Sequence, residues 1–144
     1  MIPFFNRFIK IFPNLTKLSM SRLPKIYKMW QGLGYYSRAR NLLNTAKTIQ
    51  SKHKGIVPCN FEILKSFPGI GDYTASAIMS IAFDKDFVAI DGNVERFIAR
   101  SFGYKNNKKK FKENIFLKLQ EIKPKKNFSN FTQALMEIGA LICT

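Results

Sequence analysis

At 144 residues the chain is long enough to bury a real core, and a hydrophobic content of 46% marks a sequence that folds. A formal charge of +15 points to a polyanionic partner, because Lys and Arg neutralise phosphates and release counterions; a Lys-, Asn-, Ile- and Phe-rich bias of the kind AT-rich coding DNA produces is the plainer alternative. No apolar run nears the ~18 residues of a membrane span, and Arg7 and Lys10 behind Met1-Ile2-Pro3-Phe4-Phe5 do not make a secretory leader.

Taken in chain order, the pattern is helical. Breakers stand at Pro13-Asn14, Gly32–Gly34, Gly55 to Pro58, Pro68–Gly71, Gly92, Gly103 and Pro124. Between them Ala39, Leu42, Leu43, Ala46 and Ile49 repeat at helical spacing. Val94, Phe97, Ile98 and Phe102 do so again, followed by Phe111, Ile115, Leu119 and Ile122, and then by Phe131, Ala134, Leu135, Ile138 and Leu141. The short Phe87–Ile90 run reads as a buried connector, and no segment alternates like a strand. With no repeat and no linker, the expectation is an all-α globular bundle of about eight or nine helices forming one domain over 1–144. Lysines cluster at Lys105, Lys108–Lys110 and Lys112, then at Lys123, Lys125 and Lys126. Such runs usually make solvated faces. Cys59 and Cys143 are too far apart to form a spaced metal or disulfide motif, and a reducing cytoplasm is the default compartment.

Residues 66–77, SFPGIGDYTASA, place a bare turn in front of a smooth helix. The glycines allow φ > 0 and close approach by another backbone. The amides and dipole of the new helix favour an anion such as a phosphate. A plain helix–helix turn is the other reading. Asp91, directly before the helix predicted over Gly92–Phe102, is either an N-cap or an anion held at the helix's positive end.

The 66–80 segment resembles the helix-hairpin-helix motif of the DNA glycosylase superfamily that also contains endonuclease III. VAIDGNVERFIAR (88–100) follows at the spacing of that family's catalytic aspartate. MWQGLGYYSRARNL (29–42) and FTQALMEIGALICT (131–144) are similar to its adenine-specific, MutY-type branch, so the likeness runs the length of the chain. It implies duplex DNA carrying adenine mispairs as partner and adenine excision as activity, opposite 8-oxoguanine or guanine. The means would be base flipping and hydrolysis of the N-glycosidic bond. Asp91 would stabilise the sugar cation, while Asn93 and Tyr73 line the pocket. Gly69, Ile70, Gly71 and Thr74 would hold a DNA phosphate, with a monovalent cation on the hairpin carbonyls. Tyr35 would wedge into the duplex from a loop kept slim by Gly32 and Gly34, with Arg38 and Arg40 anchoring phosphates. Trp30 and Tyr36 are read as core.

Tyr73 stands where bifunctional members carry a lysine. A phenol cannot form the Schiff base of lyase chemistry, which disfavours an endonuclease III-like lyase. The resemblance also implies a general-acid glutamate on a helix preceding the IPFFNRF segment. None of Glu62, Glu95, Glu113, Glu121 and Glu137 occupies that place. Cys143 matches the first of four cysteines that hold the family's 4Fe–4S cluster, so 125–144 reads as the start of the cluster-side region. A cubane on one thiolate is not expected to assemble. The expectation is therefore an interior piece of a longer enzyme, monomeric and cytoplasmic on the nucleoid of a bacterium. Its alternative is a non-catalytic helix-hairpin-helix remnant that grips DNA without chemistry.

Overall fold

The computed structural model describes residues 2–105 and 110–144, and every described regular element is helical. The chain divides into two compact units, Met1–Ile70 and Gly71–Thr144. Lys108 and Lys109 of the predicted lysine cluster lie outside the described residues.

The first unit holds α1 (Ile2–Ile11), α2 (Leu15–Ser19), α3 (Leu23–Trp30), α4 (Tyr36–Lys52) and α5 (Phe61–Lys65). Asparagines start two of them. Asn14 accepts from the Lys17 amide at 2.9 Å, and Asn60 from the Ile63 amide at 3.0 Å, each satisfying a donor the helix leaves open. Pro24 sits in the first turn of α3, where its missing N–H costs nothing. The stripe read on α4 is the buried face: Ala39, Leu43, Ala46 and Ile49 point inward. Ala39, Leu43 and Ala46 pack with Phe12, Leu18 and Ile26, and Phe8, Tyr27 and Trp30 close over them.

The second unit opens with α6 (Asp72–Ala77), which widens into a π-helical turn over Ile78–Ala82. The Phe87–Ile90 connector follows, with Ala89 fully buried. Next come α7 (Gly92–Phe102), α8 (Phe111–Ile122), α9 (Phe128–Glu137) and a second π turn, Ile138–Ile142. The core joins Val94 and Ile98 of α7 to Ile115 and Leu119 of α8 and Leu135 of α9. α7 has the limits the sequence predicts. Asp91 caps its start, and Gly103 at φ 69 ends it, with the Tyr104 amide returning to the Ala99 carbonyl at 2.9 Å. α9 has no cap of its own, and its Ser129 amide is served by Asp84 Oδ1 at 2.8 Å.

The last predicted stripe is only partly right. Leu135 is buried, but Ala134 is exposed and Leu141 is 77% exposed. Thr132, Leu135 and Gly139 form the buried face at ordinary helical spacing, while Ala134 and Leu141, seven residues apart, share an exposed one. The helix ends in the π turn, where the Cys143 amide bonds the Ile138 carbonyl five residues back at 2.9 Å.

Thr132 of α9 is fully buried, and among the described residues its hydroxyl has no hydrogen-bond partner. An orphaned buried hydroxyl is destabilising, so Thr132→Val, which keeps the shape, is expected to raise stability by about 1 kcal/mol in chemical denaturation. A loss of stability would show that the hydroxyl has a partner.

Candidate active site

In the second unit the start of α7 is the centre of a polar array. Asp91 uses both carboxylate oxygens: Oδ1 accepts from the Val94 amide at 2.9 Å, and Oδ2 accepts from Asn93 Nδ2 at 3.2 Å. The Asn93 Oδ1 accepts in turn from Arg96 Nη2 at 3.0 Å. Arg96 lies one turn further along α7 and also reaches the C-terminal π turn, donating from Nη2 to the Gly139 carbonyl and from Nε to the Cys143 carbonyl, both at 2.6 Å. Charged, planar and five-donor, arginine is the side chain that can hold three acceptors at once.

Gly139 makes this closeness possible. A Cβ built on it would stand 2.6 Å from the Asn93 carbonyl oxygen and 2.7 Å from its carbon. The backbones of α7 and the π turn touch there, and only a residue without a side chain fits.

Tyr73, in the first turn of α6, is 45% exposed. Its phenol is pushed above the ordinary tyrosine range, first by partial burial and then by the negative charge of Asp91. It therefore remains a neutral hydrogen-bond donor beside that carboxylate. Asp91 and Asn93 are thus hydrogen-bonded to each other, and Tyr73 lies near enough to Asp91 to feel its charge. Thr74 follows Tyr73 in α6, half-buried.

In the first unit the turn that ends at Ile70 leans on α4. Gly69 has φ +78, and a Cβ there would lie 2.4 Å from Asn41 Nδ2 and 2.8 Å from Asn41 Cβ. The Thr45 hydroxyl donates to the Pro68 carbonyl at 3.2 Å, and the Ile70 amide returns to the Phe67 carbonyl at 3.1 Å. Gly71, which opens the second unit, has φ −97 and open space where a Cβ would point.

Also in the first unit, Tyr35 is 81% exposed and holds left-handed backbone angles, φ 47 and ψ 59, at the N-cap of α4. Gly32 and Gly34 before it have φ 91 and 67. Tyr36 is not the core residue the sequence suggests. It is 45% exposed, with its ring edge-on to Tyr27 at 5.5 Å. As the first residue of α4 it lies at the edge of the buried stripe. Arg38 and Arg40 are both exposed, and Arg38 Nη2 donates to the Leu33 carbonyl at 3.3 Å.

Two participants escape a sequence reading. Arg96 is an ordinary arginine on a helix whose role depends on carbonyls more than 40 residues away. Gly139 hides inside an apolar stripe. A glycine in mid-helix, where it costs about 1 kcal/mol against alanine, is the one signal available.

The profile of the "HhH-GPD superfamily base excision DNA repair protein" matches residues 1–125. The chain belongs to this family. Among curated HhH-GPD relatives, the adenine DNA glycosylase of Buchnera aphidicola subsp. Baizongia pistaciae is 42% identical over 142 residues. That match takes in 99% of this chain and 40% of the relative. The human adenine DNA glycosylase is 34% identical over 146 residues, matching 99% of the chain and 27% of the relative. The chain thus spans well under half the length of these relatives. Among solved structures, a thermostable thymine-DNA glycosylase superposes with a TM-score of 0.85 at 28% identity, over 99% of this chain and 66% of that one. A trapped endonuclease III–DNA covalent intermediate gives 0.83 at 24% identity, with the same coverage. These likenesses agree with the all-α reading and with the resemblance drawn from the motifs.

HhH-GPD proteins often carry a 4Fe–4S cluster. Among the described residues no three His, Cys, Asp or Glu side chains converge on a metal position. Cys143 Sγ takes a hydrogen bond from Arg100 Nη1 at 3.5 Å, and Cys59 is exposed. A cubane usually takes four thiolates, so the described residues alone do not fit it. No helix of the described residues is long and apolar enough to cross a membrane.

Proposed function

We propose that this chain is the helical core of an adenine DNA glycosylase that removes adenine opposite 8-oxoguanine or guanine. The relatives in Buchnera aphidicola and in human bear that name, which supports the reading. The observation that carries it is Asp91, a carboxylate fixed at a helix start with both oxygens bonded and a neutral phenol beside it. Cleavage of the bond between the sugar C1′ and adenine N9 leaves positive charge on the sugar. A fixed anion is worth most where such charge develops. The bonding pair leaves with adenine, which gains a proton; water adds to C1′ and loses one, so hydrolysis yields free adenine and the sugar hydroxyl. Asn93 and Tyr73 orient the reacting nucleotide, and Tyr35 fills the gap left in the stack when the adenine swings out.

The hairpin takes a backbone phosphate on the amides of Gly69, Gly71 and Thr74, the start of α6 favouring the negative charge; the Ile70 amide is already committed to the Phe67 carbonyl and shapes the turn. The Phe67 and Pro68 carbonyls each accept one hydrogen bond and keep a second lone pair, so they leave room for a monovalent cation beside the phosphate.

Competition binding tests both parts. The chain is expected to prefer a duplex with adenine opposite 8-oxoguanine over a matched duplex. Equal affinity would remove the mispair reading. Gly71→Asp meets no steric obstacle, so it adds a charge without disturbing the fold. It should weaken binding to both duplexes several-fold and flatten the salt dependence by about one phosphate contact. An unchanged salt slope would place the phosphate elsewhere.

A further inference from the structure

Tyr35 is an aromatic side chain set out in solvent on a backbone conformation that bulky residues avoid. Something must hold it, and the contacts within its loop show what does. The Arg38 guanidinium carbon lies 5.6 Å from the Tyr35 ring centre and 5.8 Å from the Trp30 ring centre, bringing the cation within reach of both aromatic faces. Arg38 Nη2 donates to the Leu33 carbonyl at 3.3 Å, and its amide donates to the Tyr35 carbonyl at 2.9 Å. Trp30 secures the other side of the loop, its indole N–H donating to the Gly34 carbonyl at 3.0 Å. Trp30 itself is packed on the core of its unit. A chain of contacts therefore runs from that core through Trp30 and Arg38 to the exposed ring.

We infer that Arg38 is a positioning residue for Tyr35, ordering the ring before DNA arrives, and not primarily a phosphate anchor. A ring ordered in advance loses less conformational freedom on insertion, and that gain appears only where a base step opens to admit it. The inference rests on the reading of Tyr35 as the wedge. Lysine at position 38 would keep the charge but lose the flat face and the rigid fork, so it separates the two roles.

The experiment compares the chain with Arg38→Lys and Tyr35→Ser in binding to mispaired and matched duplexes over a range of salt. In the free protein, ring relaxation of Tyr35 is followed by NMR. Arg38→Lys is expected to cut the preference for the mispaired duplex by about fivefold, the scale of an exposed cation–π contact, with affinity for the matched duplex and the salt slope unchanged. The Tyr35 ring should become more mobile in the free protein. Arg38→Lys binding both duplexes as the parent does, with an equally ordered ring, overturns the inference. So does an equal loss on both duplexes, which would mean that the guanidinium fork grips backbone phosphates common to both. Tyr35→Ser isolates the underlying reading. If it weakens both duplexes equally, Tyr35 is no wedge, and ring order in Arg38→Lys still reports whether Arg38 positions it.

Discussion

Asp91→Asn is expected to leave the fold standing and remove the charge-dependent chemistry. Asparagine is as good an N-cap as aspartate, and its oxygen can still accept from the Val94 amide. The contact from Asn93 Nδ2 to the second oxygen would be lost, at a net cost of about 1 kcal/mol. What disappears is the anion. A duplex in which a protonated pyrrolidine ring replaces the sugar presents the positive charge that the departing adenine would leave. The parent chain should bind it more tightly than a duplex with a neutral tetrahydrofuran ring, and Asp91→Asn should lose about 10²-fold on the cationic duplex alone, the range seen when one transition-state contact is removed. This reads the carboxylate's electrostatic role without requiring turnover. If the ratio of the two affinities is the same in parent and variant, Asp91 is a cap and nothing more.

Gly139→Ala should be destabilising, against the sign that helix propensity gives. Alanine in place of a mid-helix glycine ordinarily gains about 1 kcal/mol. Here the new methyl would stand 2.6–2.9 Å from the Asn93 carbonyl oxygen, carbonyl carbon and Cβ. The first two are backbone at the start of α7 and cannot rotate away. Relief requires the π turn and α7 to separate, at a cost of about 1–3 kcal/mol. Separation would also stretch the Arg96 contacts, which are short and span that junction. Urea denaturation measures the stability, and the pyrrolidine duplex measures the displacement of Asp91. A variant as stable as the parent would mean that the junction is looser than its distances imply.

Much of this was readable before any coordinates, for identifiable reasons. The limits of α7 were legible because capping is local chemistry: an Asp before the first turn and a Gly after the last mark the ends by themselves. The hairpin and the Tyr35 loop were legible because glycine spacing constrains the backbone directly. The π turn is not, since a 3.6-residue period carries no sign of a turn that widens; the last stripe reads through Ala134 and Leu141 because the buried face runs instead through Thr132 and Gly139, residues that do not register as apolar anchors. The Arg96 array was equally hidden. Its acceptors are main-chain carbonyls, which every residue possesses, so no side-chain pattern announces them. For Arg38 a sequence shows the charge of an arginine but not the rings it lies beside, so the Trp30 and Tyr35 contacts are not legible.

The cap at Asp91 has a consequence on a longer timescale. Aspartate and asparagine codons differ by one base, and the helix start accepts either residue. Selection for a stable protein therefore sees that change only through the lost Asn93 contact, about 1 kcal/mol; on the proposed function, selection for repair would see it fully. If Asp91 acts as proposed, a lineage that relaxes its demand for base removal could lose the reaction in one step while the helix start stays capped.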